Sequence, residues 1–372
     1  MNIGIDIRAA KWYRGTGIGT YTYQLINSIN TLDKMNCYNL YGDTTSLDIS
    51  FNSNFHINPL DNSAFNNFWE NIKTPVNLNN SYVDIYHVPQ NGIGLPVNTT
   101  IPLVITLHDT IPLHMPETVG DNYLNLFNTY MKTIVSKCAG IITVSEYSKS
   151  DISKDFNFPE DKIFVTHLAS ENIYKPIDKS VCNKVLKKHY FLPEKYILYV
   201  GGFSPRKNII GLILAYNKIL RKLPDDIKLV IAGSKGKSFD IYKNLAEDLN
   251  ITDKVLFPGF ISMEHMPYLY SGAELLVYPS FYEGFGLPPI EAMACGTSVI
   301  ASNLTSIPEI LGDSALLCDP NNIDDIAMCI LNILEDSTLK QNLIKKGFIR
   351  ASSFSWKDTA EKTIEAYRSI LK

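Results

Sequence analysis

The chain has 372 residues, 45% of them hydrophobic and 19% charged. That composition argues against disorder, and the length favours two domains, since single cores stop growing at roughly 250–300 residues. The formal net charge of −4 leaves no basic footprint, so no nucleic-acid partner is expected.

The start, Met1-Asn-Ile-Gly-Ile-Asp-Ile-Arg8, carries charge by its sixth residue and has no apolar leader core. No run of 18 apolar residues occurs, so a cytoplasmic location is expected. Cysteines 37, 138, 182, 295, 318 and 329 show no C-x-x-C pairing, which suggests neither a zinc site nor a disulfide framework. Residues 1–175 hold 11 Lys and Arg against 16 Asp and Glu, and the remainder 23 against 22. An acidic first half disfavours strong polybasic docking on a membrane and leaves only a weak peripheral contact.

In chain order, Ile3–Ile7 reads as a short buried strand. The glycine-rich Arg14-Gly-Thr-Gly-Ile-Gly19 follows and runs into a helix carrying Leu25, Ile26 and Ile29 on one side. Such a loop can cradle phosphate with its N–H groups and the positive end of the helix dipole. It is also a partial mimic of a dinucleotide fingerprint, with Asp43 as the ribose acid, although its glycines run G-x-G-x-G. From Asn52 to Asn80, ten of 29 residues are asparagine, mixed with Phe65, Phe68 and Trp69; an exposed loop and an amphipathic helix are expected. Strands are expected at 84–88 and 103–107. The second ends in His108-Asp109, placed to face a crevice; Asp109 either orients the histidine or caps the next turn. Gly140–Ser145 is a strand ending in a serine N-cap, and 163–167 is the last strand before a connector.

A second sheet begins at Tyr196-Ile-Leu-Tyr-Val-Gly-Gly202. Phe203-Ser-Pro-Arg-Lys-Asn208 then leads into an apolar helix at 209–220. Cations at a helix N-terminus oppose the dipole, so Arg206 and Lys207 invite an anion, and a diphosphate suits them. Strands follow at 227–232, 255–257, 274–279 and 298–301. Between the last two lies Glu283-Gly-Phe-Gly-Leu-Pro-Pro-Ile-Glu291: a strand feeds a glycine-rich turn, then a helix with proline in its first turn. Gly284 and Gly286 allow close approach and positive φ. Glu291, in the first helical turn, also serves the dipole, and Glu283 by default is a solvated loop carboxylate. A helical pair at 324–352 and a last helix capped by Ser355 complete the chain.

The segment from Tyr278 to Gly296 resembles the E-x7-E signature of the retaining, GT-B-fold glycosyltransferases of family 4, and its embedded Gly-Phe-Gly-Leu-Pro makes the resemblance specific. Val104-Ile-Thr-Leu-His-Asp109 and Gly201-to-Asn208 are similar to two further elements of that family. The resemblance implies an α/β fold of two Rossmann-like domains with a cleft between them: an acceptor-binding domain at 1–175, a nucleotide-sugar-binding domain at 176–354, and a helix at 355–372 crossing back to the first. It implies that Glu283 and His108 meet the transferred hexose, that Glu291 meets the ribose, and that Arg206 and Lys207 grip the donor diphosphate. The N–H groups at Phe285, Gly286 and Leu287 line the donor, and the backbone at Phe260 and Ile261 receives the base. Asp109 falls on the acceptor side. Of the family's paired loop glycines only Gly17 is matched, with Thr16 at the other position and Thr20 where relatives carry a basic residue.

The implied reaction is hexosyl transfer with retention, from a nucleotide sugar to a glycan or lipid-linked glycan acceptor hydroxyl in bacterial surface polysaccharide assembly. GDP-mannose is the first-choice donor. With no Asp-x-Asp in the chain, no metal is expected, nor any other cofactor. A lipid-linked acceptor would bring the protein to the inner face of a membrane. Two alternatives are a nicotinamide-dependent oxidoreductase, on the strength of the 15–19 loop, and a non-catalytic sugar-nucleotide binding protein.

Overall fold

A computed structural model describes residues 1–60, 67–78, 82–236 and 238–372. The chain divides into two compact units, Met1–Leu168 with Ser355–Lys372, and Ala169–Phe354.

The first unit holds strands β1 (Asn2–Asp6), β2 (Cys37–Tyr41), β3 (Phe55–Asn58), β4 (Ile85–Val88), β5 (Leu103–Thr106), β6 (Gly140–Thr143) and β7 (Ile163–Val165). All are parallel, in the order β3-β2-β1-β4-β5-β6-β7. Every residue of β4, β5 and β6 is buried, as a parallel sheet covered on both faces requires. The strand order reverses between β1 and β4, and the loops leaving the carboxyl ends there open the crevice in which such sheets hold ligands.

The second unit repeats this logic. Strands β8 (Lys195–Val200), β9 (Ile227–Ala232), β10 (Val255–Gly259), β11 (Leu275–Tyr278), β12 (Val299–Ser302) and β13 (Leu316–Cys318) are parallel in the order β10-β9-β8-β11-β12-β13. Here the reversal lies between β8 and β11.

Two strands escape the sequence pattern. β13 is three residues long, and β3 lies inside the asparagine-rich stretch expected to be loop and helix. The asparagines there act as pegs: Asn52 Nδ2 donates to Asn30 Oδ1 at 2.8 Å, and Asn54 Nδ2 to the Asn36 carbonyl at 2.7 Å. They anchor the chain just before β3, whose backbone then pairs with β2, so a polar segment adds an edge strand that no apolar alternation foretells. The expected helix there is short, Phe68–Ile72, capped by Asn67; Phe65 lies outside the described residues.

Two polar constructions brace the first unit. Asp6 and Arg8, three-hundredths exposed or less, form a bidentate pair at 2.6 and 3.0 Å. Gln90 Nε2 donates to Asp6 at 2.7 Å and Arg8 donates to the Thr74 carbonyl at 2.7 Å. The second runs through the C-terminal helix, Trp356–Ile370, which packs along the Gly17–Leu32 helix. Tyr367 OH meets His87 Nδ1 at 2.7 Å, His87 Nε2 meets Thr106 Oγ1 at 2.8 Å, and Thr106 meets Tyr21 OH at 3.0 Å. Burial, reinforced by His108, drives His87 down to about 3, so this chain of hydroxyls and imidazole is neutral.

Asp6→Asn strands a buried guanidinium without its counter-charge and is expected to cost about 3–5 kcal/mol, measured by urea unfolding. The loop glycines should differ sharply. A Cβ at Gly19 would stand 2.3 Å from the Trp12 carbonyl oxygen, whereas one at Gly17 would meet nothing within 4 Å. Gly19→Ala should therefore lower the melting temperature by several degrees, and Gly17→Ala should leave it unchanged or raise it, since alanine is the better helix former by about 1 kcal/mol.

Candidate active site

The loop after β8 turns once as a 3-10 helix, Pro205–Lys207, and Asn208 then takes the left-handed conformation, φ 54°. Asparagine tolerates that region, and its side chain caps the Ile209–Ile219 helix by accepting from Gly211 N–H at 3.1 Å. Asn208 Nδ2 also donates to the Pro320 carbonyl at 2.7 Å. Arg206 and Lys207 are thereby held just before a helix N-terminus, where the dipole opposes them. Across the strand-order reversal, the loop after β11 is tied to the same turn by Phe281 N–H donating to the Arg206 carbonyl at 2.8 Å.

Glu283 is the anion these cations find within the chain. Its Oε1 lies 2.5 Å from Lys207 Nζ and its Oε2 3.1 Å from Arg206 Nη1, with side chains 8%, 10% and 20% exposed respectively. Glu283 is therefore not the solvated loop carboxylate its position suggested. Burial pushes its pKa up, but Lys207 and then Arg206 outweigh that and bring it to about 2. Lys207 Nζ also donates to Tyr278 OH at 2.7 Å, and Arg206 Nη1 to the Tyr282 carbonyl at 2.9 Å. The group carries two positive charges and one negative charge, a net attraction for an anion.

The turn beyond Glu283 is fastened from outside. Thr305 Oγ1 accepts from Glu283 N–H at 3.1 Å, and Ser306 Oγ donates to the Glu283 carbonyl at 2.8 Å and to that of Phe285 at 3.4 Å. Of the two glycines expected at positive φ, only Gly286 is found there, at 100°. A Cβ on it would also stand 2.7 Å from Ile307 Cδ1. Phe285 is buried with its ring edge-on to Phe354, and Leu287 opens the Leu287–Ala294 helix.

Glu291 lies in the second turn of that helix, not the first, so the dipole reading loses its basis. Its Oε2 accepts from Tyr270 OH at 2.7 Å. Desolvation raises its pKa to about 7, opposed by the Tyr270 and Tyr174 hydroxyls and reinforced by the charge of Glu171. Phe260 and Ile261 follow β10, whose last residue, Gly259, has φ 83°. Phe260 is 61% exposed and Ile261 is buried. Tyr190 OH pins the loop by accepting from Ser262 N–H at 3.2 Å.

In the first unit, His108 follows β5. Its N–H donates to Asn91 Oδ1 at 3.0 Å, its Nε2 lies 3.2 Å from the Pro89 carbonyl, and its ring stands edge-on to Tyr21. Burial lowers its pKa to about 4, against the pull of that carbonyl. The imidazole is thus neutral, and because a carbonyl only accepts, the proton sits on Nε2 and Nδ1 is an acceptor. Asp109 Oδ1 accepts from Ile111 N–H at 3.1 Å, the turn-capping option. Gly17 is the first residue of its helix, exposed, with Thr16 as the N-cap.

Arg206, Lys207 and Glu283 are thus brought into direct contact, Glu291 is engaged separately, and Gly17, His108 and Asp109 belong to the other unit. Sequence reasoning missed Tyr278, Tyr270, Thr305 and Ser306. The tyrosines sit in apolar runs that read as core, and only the strand-end position of Tyr278 hinted otherwise.

Residues 185–350 match the family model described as glycosyl transferases group 1, and residues 48–169 match glycosyltransferase family 4. An O-antigen chain mannosyltransferase B of Escherichia coli is 37% identical over 77% of this chain and 74% of its own length. Three longer E. coli relatives described as serotype-specific mannosyltransferases are 29% identical, and the chain spans 36%, 35% and 34% of their lengths. Among solved structures, a sucrose-phosphate synthase from Thermosynechococcus elongatus superposes with TM-score 0.78 at 21% identity, covering 99% of this chain and 98% of that one. HepE of Anabaena, in complex with UDP-glucose, superposes with TM-score 0.71 at 18% identity, covering 99% and 100%. With two doubly wound parallel sheets and these relatives, the chain belongs to the family 4 glycosyltransferases of GT-B fold.

Proposed function

We propose that this glycosyltransferase transfers a mannosyl group, with retention, from GDP-mannose to an acceptor hydroxyl of a surface polysaccharide of the O-antigen type. The mannosyl assignment is supported by the 37%-identical O-antigen mannosyltransferase. The single observation that carries the chemistry is the Arg206–Lys207 pair, set at the strand-order reversal beside a helix N-terminus. Preorganised cations act most strongly where charge develops, and in this transfer it develops on the leaving diphosphate. Their side chains take the place a divalent cation holds elsewhere, so the reaction needs no metal.

In this reading the bond from the anomeric carbon to the terminal phosphate oxygen breaks while the acceptor oxygen bonds the same carbon on the same face. The acceptor proton passes to the departing phosphate oxygen. No second carboxylate is then required as nucleophile, in contrast to retaining glycosidases. Neutral His108, with Nδ1 as acceptor, and the Glu283 carboxylate orient the hexose. The N–H groups at Phe285, Gly286 and Leu287 line the donor, Glu291 accepts from the ribose hydroxyls, and the loop at Phe260 and Ile261 receives the base. Gly17, which neither a positive φ nor a steric contact requires to be glycine, allows the donor diphosphate to approach the helix N-terminus. Asp109 lies on the acceptor side. The acceptor is a glycan or a lipid-linked glycan; among the described residues no helix is long and apolar enough to cross a membrane, so a lipid-linked acceptor would be met by a weak peripheral contact at the inner face. An oxidoreductase reading of the 15–19 loop has no support from the family assignment.

Incubation with GDP-mannose and a mannosylated acceptor should yield an α-linked product by NMR, with activity retained in EDTA. Arg206→Ala/Lys207→Ala should abolish the thermal stabilisation by donor, about 2.7 kcal/mol at a hundredfold excess over Kd for the wild type. Stabilisation by another sugar nucleotide alone would reassign the donor, and loss of activity in EDTA restored by Mn²⁺ would defeat the metal-free mechanism.

Glu291 sets a pH dependence whose sign is fixed. With its pKa near 7, the ionised acceptor form is gained as pH rises, so donor affinity should climb from pH 6 to 8, and Glu291→Gln should flatten the profile. A carboxyl raised in the folded state favours folding while protonated, and that contribution is lost between the ordinary carboxylate range and about 7. Glu291→Gln should accordingly raise the melting temperature more at pH 8 than at pH 5.

A further inference from the structure

The anion site already contains an anion. Both oxygens of Glu283 are used on the two cations, at 2.5 Å to Lys207 and 3.1 Å to Arg206. Any phosphoryl group gripped by the same pair must share them with this carboxylate. The sharing is permanent, because the Lys207 and Arg206 charges hold Glu283 ionised down to about 2 despite its burial.

The two nucleotides of a glycosyl transfer differ in charge at this point. A nucleoside diphosphate sugar has one negative charge on each phosphate. The nucleoside diphosphate left after transfer has a terminal phosphate monoester, whose second ionisation falls near pH 6, and so it gains a third charge on the oxygen from which the sugar departed. We propose that Glu283 is a built-in competitor for Arg206 and Lys207 that selects the sugar-nucleotide donor over the nucleoside diphosphate product and thereby speeds product release. This inference rests on the donor-site reading above. Two unit charges about 5 Å apart at an effective dielectric constant near 20 interact strongly enough to change affinity by well over tenfold. The partial exposure of Arg206 moderates this, and a change of about tenfold is expected.

The surroundings allow the competitor to be removed without dismantling the grip. Lys207 keeps Tyr278 OH at 2.7 Å and Arg206 keeps the Tyr282 carbonyl at 2.9 Å, so in Glu283→Gln both cations retain an acceptor.

The test is calorimetric titration of the purified full chain and its Glu283→Gln variant with GDP, UDP and dTDP, and with GDP-mannose and UDP-glucose. Whichever diphosphate the wild type binds should bind Glu283→Gln about tenfold tighter. The matching sugar nucleotide should gain less or lose affinity, because it lacks the third charge and, on the donor-site reading, loses the carboxylate that orients its hexose. Glu283→Asp, which keeps the charge, should keep the wild-type ratio, and Glu283→Ala gives the same reading as Gln should the amide variant fail to fold. If the variant binds the diphosphate as the wild type does, or more weakly, the inference is overturned and the donor site stands. If the wild type binds none of these nucleotides, the donor reading itself falls and takes the inference with it.

Discussion

The carboxylate of Glu283, shared by Lys207 and Arg206, is the interaction on which the candidate site depends. Two cations placed side by side before a helix N-terminus repel one another and the dipole behind them. Left alone in a poorly solvated loop they would splay apart. The carboxylate ties them to one point, one oxygen to each, and Tyr278 gives Lys207 a second acceptor from the end of β11. On the reading proposed above, the charge that preorganises the two cations for a diphosphate also limits how tightly a diphosphate is held.

Topology explains why these residues meet although 76 positions separate Lys207 from Glu283. In a doubly wound parallel sheet the right-handed connections of each half run over one face, so the loops leaving the strands on either side of the order reversal turn to opposite faces and open a crevice there. In the second unit that place is between β8 and β11, and Arg206–Lys207 and Glu283 are on the loops leaving those two strands. In the first unit the reversal between β1 and β4 is braced by buried Asp6, Arg8 and Gln90. The same fold principle gathers a buried polar brace in one unit and two cations with their carboxylate in the other.

A second theme is the use of tyrosine hydroxyls as buried connectors. Tyr270 donates to Glu291, Tyr278 accepts from Lys207, and Tyr367 and Tyr21 end a neutral chain through His87 and Thr106. Each ring fills core volume while its hydroxyl satisfies a polar group that would otherwise be costly to bury. The last chain ends at Tyr21, whose ring stands edge-on to His108, so the orientation of that imidazole depends partly on a helix at the far end of the sequence.

Much of this was legible in the residues alone. Apolar runs of four to six residues between glycine- and proline-marked turns announced nearly all the strands of two parallel sheets, because strands buried on both faces must be apolar throughout. Arg206-Lys207 stood out because cations before a helix N-terminus oppose its dipole, whereas Glu283, Glu291 and His108 were singled out by the family resemblance of the segments that hold them. What the chain order could not contain were interactions made only on closure of the fold. The polar β3 edge relies on asparagine pegs from Asn52 and Asn54. The counter-ion for the two cations came from 76 residues away, and the tyrosine connectors read as ordinary core. Local pattern determines which segments become strand, turn and helix; the partners of buried charges and hydroxyls are decided by tertiary packing, because desolvation penalises an unpaired group only once the surrounding chain has excluded water.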